Sequence, residues 1–188
     1  MISQRRKVVT IYDIIFNDRE NMKVLQDMVF LSEIVMQSKI ALRAAERLQS
    51  GNNELDKIDV WSCIQSILVA AGNVSKILWP AKSYEERGKR LRQILRVEEN
   101  NPLCDRKFRN HFVHYDDRIE DWFKKYPSAG YTDLAMNPSL PGNHVYNIHR
   151  GYNSFNNTLV FRNEILDMNL ILKALEDILK NCKPYVLS

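Results

Sequence analysis

The segment Arg109-Asn110-His111-Phe112-Val113-His114 gathers a guanidinium, a carboxamide and two imidazoles into little more than one helical turn. A guanidinium keeps its charge at any working pH and forks onto two oxygens of one anion. An imidazole, with an ordinary pKa of about 6.5, takes up and releases protons near neutrality. Together they suit a reaction in which a hydroxyl loses its proton while negative charge grows on a neighbouring phosphate. On a helix Asn110 and His114, four apart, share a face. Arg109 and His114 are five apart, about 140° around the axis, so the arginine must curl back, or the first turn fray, for the two to meet. Arg106 and His111 repeat the spacing, but Lys107 follows that arginine where Asn110 follows Arg109. Arg106, Lys107 and His111 therefore read as supporting charge for substrate, with Arg92 joining them from upstream.

The charge around this segment is uneven. Between Lys82 and Arg109 stand nine basic and five acidic residues, an excess equal to the +4 of the whole chain. A basic face leading into the segment suits a polyanion such as RNA. A solvated helix face is the competing reading, with Glu85–Lys89 and Glu86–Arg90 at the spacing of intrahelical ion pairs. Two other readings of the histidine segment stay open. Arg109 could pair with Asp105 or Asp116 and leave His114 as an interface histidine. His111 and His114 could bind a metal with Asp117 or Cys104, although zinc wants three or four ligands at recognisable spacing, and the expectation is no metal and no cofactor.

The elements that must position these groups are mostly helical. With six glycines and six prolines in 188 residues, 45% hydrophobic and 27% charged, the chain is an ordinary globular composition and long enough for one cored domain, 1–188. Residues 8–16 fit a strand or an early helix. From a cap at Asn17 or Asp18 a helix runs to about Gln49, with Val24, Met28, Leu31, Val35 and Leu42 along one stripe, and Gly51 ends it. A second spans about Leu55 to Trp79 and stops before Pro80; its interspersed polar residues mark a buried helix and not a membrane span. A third covers roughly Tyr84 to Val97 and a fourth Leu103 to Lys125, giving a four-helix bundle. Residues 128–162 read as an insertion outside the bundle, with strands at 145–149 and 158–161 joined by a turn over 150–157. Asp167 caps a C-terminal helix in which Ile171, Leu175, Ile178 and Leu179 share a face. Trp61, Trp79 and Trp122 read as packing anchors.

Read on to Trp122, the Arg109–His114 segment resembles the signature of the HEPN superfamily: an Arg, usually followed by a polar residue, with a His four to six positions further along. Ile77-Leu-Trp-Pro80 and Arg90-Leu-Arg92 are also similar to uncharacterised bacterial HEPN-like proteins, so the resemblance covers roughly residues 20–125. It implies an all-α, HEPN-like bundle that cuts RNA without metal, within a defence or toxin system. His114 would transfer the proton, Arg109 clamp the phosphate and Asn110 orient. It also implies a homodimer, RNA as partner, and a cognate antitoxin or regulatory protein beside it. Toxin–antitoxin members that are adenylylated carry a Tyr two residues after the His; here that position is Asp116 and the tyrosine is Tyr115, which puts that control in doubt. Other HEPN-like domains are non-catalytic modules that bind RNA, nucleotide or a protein partner. Cys63, Cys104 and Cys182, odd in number and without CxxC spacing, point to free thiols and a cytoplasmic location. The basic N-terminus lacks the long apolar run of a signal peptide or anchor. No P-loop, GxGxxG, serine-nucleophile or zinc-finger pattern is present.

Overall fold

A computed structural model describes residues 11–50, 55–126, 130–138, 148–162 and 164–185, with side chains from Lys23 onward in the first helix. The chain is mainly helical, with one small sheet. Helix α1 spans Ile11–Ser50, so residues 11–16 are helical and the helix is already running where Asn17 or Asp18 was expected to cap it. Its buried positions are Asp27, Leu31, Ile34, Ser38, Ala41, Ala45 and Leu48. Steps of four and three residues make a straight seam along one side. The stripe expected from the sequence is rotated from this seam: Leu31 lies in it, whereas Val24 and Met28 are exposed.

The seam packs along α2, Lys57–Leu78, which Asp56 caps by accepting a hydrogen bond from the Asp59 amide at 2.8 Å. Thirteen of the 22 residues of α2 are buried. The helix is long and apolar enough to cross a membrane, but here those residues are the centre of a protein core. Trp61 sits in that core, Trp79 packs at its edge, and Pro80 follows the end of the helix. Helix α3, Glu85–Leu95, closes with Arg96 in the left-handed region at φ 51°, and the Val97 amide donates to the Arg92 carbonyl. Helix α6, Met168–Cys182, begins at Asp167, whose side chain accepts from the Asn169 amide, as expected. It buries Ile171, Leu175 and Ile178 against α1, α2 and α3.

The expected fourth helix, 103–125, is three pieces: a 3-10 turn at Pro102–Cys104, α4 at Lys107–Val113 and α5 at Tyr115–Lys125. Side chains that bond to nearby amides favour turns over helix. Asn101 accepts from Leu103, and Asp105 from Lys107. The second break, at His114 (φ −110°, ψ 45°), lets the two halves bury different faces. Phe112 of α4 stacks on Trp61, while Trp122 of α5 is buried against Tyr126 and Tyr131.

The sheet also departs from expectation. Strands β1 (Ala135–Met136), β2 (Arg150–Asn153), β3 (Thr158–Phe161) and β4 (Glu164–Asp167) lie in that order, β1 parallel to β2 and the rest antiparallel. The expected strand at 145–149 lies partly outside the described residues, and β2 starts later, at Arg150. Asn157 at φ 53° supplies the left-handed residue of a short turn, which pairs Tyr152 with Leu159 directly. Tyr152, Leu159 and Phe161 are buried, the first two beside Trp61 and Met168. The hairpin is thus part of the core, not an insertion outside it. Apolar alternation in β3 puts Leu159 and Phe161 on one face, which had to be covered.

One glycine tests the packing. A Cβ on Gly88 of α3 would stand 2.4 Å from Pro80 Cδ and 2.7 Å from the Leu78 carbonyl oxygen. Helix propensity alone would make Gly88→Ala stabilising by about 1 kcal/mol. We expect destabilisation instead, by about 1–3 kcal/mol, measured by urea denaturation.

Candidate functional site

The site is built on the short helix α4, which forms a ridge between two cavities. Arg106 and Arg109 line the cavity on one side, and Lys107, Asn110 and His111 line the cleft on the other. Strand β4 divides in the same way, Glu164 facing the cleft and Ile165 to Asp167 the cavity. Arg109 lies flat over Gly72 of α2; a Cβ there would come within 2.8 Å of Arg109 Cγ. Its Nη1 donates to Asn110 Oδ1 at 2.8 Å across the crest of the ridge. Arg109 therefore spends its local bond on Asn110 and not on Asp105 or Asp116.

The cleft has a volume of about 500 Å³. Its cations come from three elements: Lys107 of α4, Arg118 and Lys125 of α5, and Arg162 after β3. Two carboxylates answer them. Lys107 Nζ meets Glu164 Oε2 at 2.6 Å, and Asp121 Oδ2 is shared by Arg118 and Arg162 at 3.6 and 3.7 Å. Lys125 has no carboxylate partner among the described residues. The cleft therefore carries a net positive charge and suits an anion.

His111 is the histidine that the fold brings to the cleft, and it serves as wall. It is 7% exposed, with its ring stacked on Phe161 at 4.5 Å and 5° and its Nε2 3.7 Å from Glu164. Burial lowers its pKa more than Glu164 raises it, with Arg118 and Lys107 adding to the lowering. His114 lines neither cavity. At the α4–α5 break its side chain is 56% exposed, 3.9 Å from Asp117. The three expected catalytic residues are thus split: Arg109 and Asn110 are together, and His114 stands apart. Of the expected binding residues, Lys107 reaches the cleft and Arg106 the cavity behind it. Arg92 does neither. It is buried, donates to the Leu78 carbonyl and pairs with Glu99 at 2.6 Å. The rest of α3 is similarly occupied: Lys89 pairs with Glu85 at 2.9 Å, and Arg90 grips Asp27 with two bonds.

The cavity behind the ridge, about 440 Å³, is walled by aliphatic side chains of α2, β4 and α6. Ser75 lines it, and the buried Ser75 hydroxyl has no hydrogen-bond partner among the described residues. Asp105 and Asp167 line it as well, and among the described residues neither pairs with Arg106 or Arg109.

A second polar cluster has no counterpart in the sequence reading. Arg150 grips Asp133 with two bonds, 2.8 and 2.5 Å, and Tyr131 meets the fully buried His149 at Nδ1, 2.9 Å. Burial opposes the Asp133 charge, but Arg150 and His149 hold its carboxyl far below the usual carboxylate range. Its partners lie far apart in the chain, and no spacing announces them. Among the described residues no three His, Cys, Asp or Glu side chains are grouped to hold a metal ion. Comparison with known proteins adds no relative: no family model, curated protein or solved structure matches the chain.

The lowered His111 pKa carries a sign. The folded state favours the neutral ring, so its contribution to stability is fully present above the unfolded pKa of about 6.5 and shrinks as pH falls below it. We expect the melting temperature to decline between pH 7 and 5 and the decline to be shallower in His111→Phe, which keeps the stack on Phe161. Equal slopes in the two proteins would contradict this.

Proposed function

We propose that this chain is a HEPN-like, cytoplasmic RNA-binding protein that cleaves RNA without a metal ion. The observation that carries the reading is the cation-rich cleft beside Asn110, a residue of the Arg109-Asn-x-x-x-His114 motif. In the HEPN-like bundle of this reading, α1, α2 and α3 are three helices and the α4–α5 pair the fourth, with α6 added. RNA phosphates run through the cleft over Lys125, Arg118 and Arg162. His114 takes the proton of a 2′-hydroxyl; the 2′-oxygen bonds to phosphorus, and the bond to the 5′-oxygen breaks. Arg109, freed from Asn110, meets the charge that grows on the phosphoryl oxygens. The products are a 2′,3′-cyclic phosphate and a 5′-hydroxyl.

Within one chain His114 lines neither the cleft of Asn110 nor the cavity of Arg109, and the reading therefore includes a homodimer. Val113 and Tyr115, which flank His114, are both exposed, as is Phe123 on α5. Phe112 and Trp122 are taken up by the core, so these exposed side chains are the apolar contacts of such an interface. Across it the partner's His114 protonates the leaving 5′-oxygen. A toxin or defence role with a cognate regulatory protein belongs to the same reading. Light scattering at tens of micromolar should give twice the 22.1 kDa chain mass, and Tyr115→Glu should return it to the monomer.

A second reading rests on a different observation. Arg109 is turned into the apolar cavity over Gly72 and His114 is outside both cavities, as expected of a module that binds RNA and leaves it intact. Incubation of mixed RNA in EDTA with wild type, His114→Ala and Arg109→Ala separates the two. On the catalytic reading His114→Ala loses at least about 10²-fold in rate at nearly unchanged RNA affinity, and Arg109→Ala weakens both. Absence of cleavage by wild type, or equal cleavage by all three proteins, establishes the binding module.

A further inference from the structure

The cavity behind α4 has the chemistry of a place for one nucleobase. A base is a flat apolar ring with polar atoms along its edge, and it hangs from a chain of anions. The cavity matches each part. Leu68 and Ala71 of α2, Leu166 of β4 and Ile171 of α6 give it aliphatic walls. Its volume, about 440 Å³, falls within the range of small-ligand pockets. Among those walls the Ser75 hydroxyl is a donor and acceptor held out of water without a partner. Such groups are normally satisfied, and a polar base edge would satisfy this one. A purely aliphatic occupant would leave it unmet, which is the argument against a lipid tail.

The mouth supplies the anion's counterpart. Arg106, just before α4, and Arg109 line the cavity. Asp105 and Asp167 line it too, but their carboxylates accept from the Lys107 and Asn169 amides and pair with neither arginine among the described residues. On the opposite flank of the same helix lies the cation-rich cleft, and the Arg109–Asn110 hydrogen bond joins the two spaces over the ridge. A strand whose phosphates run in the cleft can therefore turn one base over the ridge, its phosphate passing Arg109. We propose that the cavity bounded by Leu68, Ala71, Ser75, Leu166 and Ile171 is a base-recognition subsite for a single unpaired nucleotide of bound RNA, with Arg106 and Arg109 at its lip. The proposal rests on the RNA-binding reading of the cleft. It adds that recognition at this position depends on the base and on Ser75, beyond backbone charge. An unpaired strand is the substrate, because a paired base cannot leave its helix at so small a cost.

The test compares short single-stranded oligoribonucleotides that differ only in having one abasic position, titrated by fluorescence anisotropy against wild type, Ala71→Leu and Ser75→Val. Leucine at position 71 fills the cavity. Valine at 75 replaces the hydroxyl by a methyl group and adds one more, and it carries the test if Ala71→Leu fails to fold by circular dichroism. We expect wild type to bind the base-bearing strand about tenfold more tightly than the abasic one, the scale of burying an apolar ring. Ala71→Leu should abolish that difference and leave affinity for the abasic strand unchanged, and Ser75→Val should reduce it several-fold. Equal binding of the two strands by wild type overturns the subsite and leaves RNA binding in place. So does a cavity variant that keeps the full difference. Should neither strand bind, the RNA reading fails, and nucleoside 5′-monophosphates become the probe in thermal-shift titration. Stabilisation that Ala71→Leu abolishes then supports the subsite as a nucleotide site, and no stabilisation overturns it.

Discussion

The apolar helix α2 has to be covered on almost every side, and the rest of the molecule is arranged to do it. No single neighbour can cover it, because a packed helix contacts only one stripe. The seam of α1 takes one side, α6 and α3 another, and the hairpin the end near Trp61. Burial on that scale is the main favourable term in folding, and it explains why short strands β2 and β3 are core elements. It also sets where α4 lies. Arg109 can rest on α2 only because position 72 is glycine, so the ridge approaches α2 as closely as a side chain allows.

That ridge separates two environments by the width of one short helix. The cleft is polar, bridged and positively charged; the cavity is aliphatic, with one unmet hydroxyl and two arginines at its lip. Around α4, Arg106 and Arg109 face the cavity while Lys107, Asn110 and His111 face the cleft, a contrast that follows from helix periodicity, and β4 passes from cleft to cavity between Glu164 and Ile165. The pieces that make α4 short, the Asn101 and Asp105 side-chain bonds and the break at His114, therefore also define the site. A continuous helix over 103–125 would have turned its residues to other faces and removed the exposed corner on which His114 sits.

The distribution of charge follows ion pairing more than sequence density. Part of the basic stretch before the motif is neutralised, with Arg90 held by Asp27 and Arg92 by Glu99, while Lys89 lies between two glutamates. Of the cleft's cations Lys107 belongs to that stretch, and Arg118 and Lys125 of α5 and Arg162 come from further along. Buried or bidentate pairs of this kind hold geometry and leave little field for a ligand, whereas Lys125, exposed and without a carboxylate partner among the described residues, is free to contribute one.

Local chemistry determined much of this protein in the sequence itself. An apolar-rich run marked α2 and a shared apolar face marked α6, Pro80 stopped α2, and Asp167 capped α6, because each depends on residues within one or two turns. What the tertiary structure decided was every relation between distant residues. Only packing rotated the α1 seam to Asp27–Leu48, moved the hairpin into the core and put His111, not His114, beside the cleft. Only the close approach of Gly72 turned Arg109 toward an apolar cavity. The Asp133–Arg150 and Tyr131–His149 contacts join residues about seventeen apart in the chain. Periodicity reports which face of one element is apolar; it carries no information about which other element will cover that face, and a site between elements is decided there.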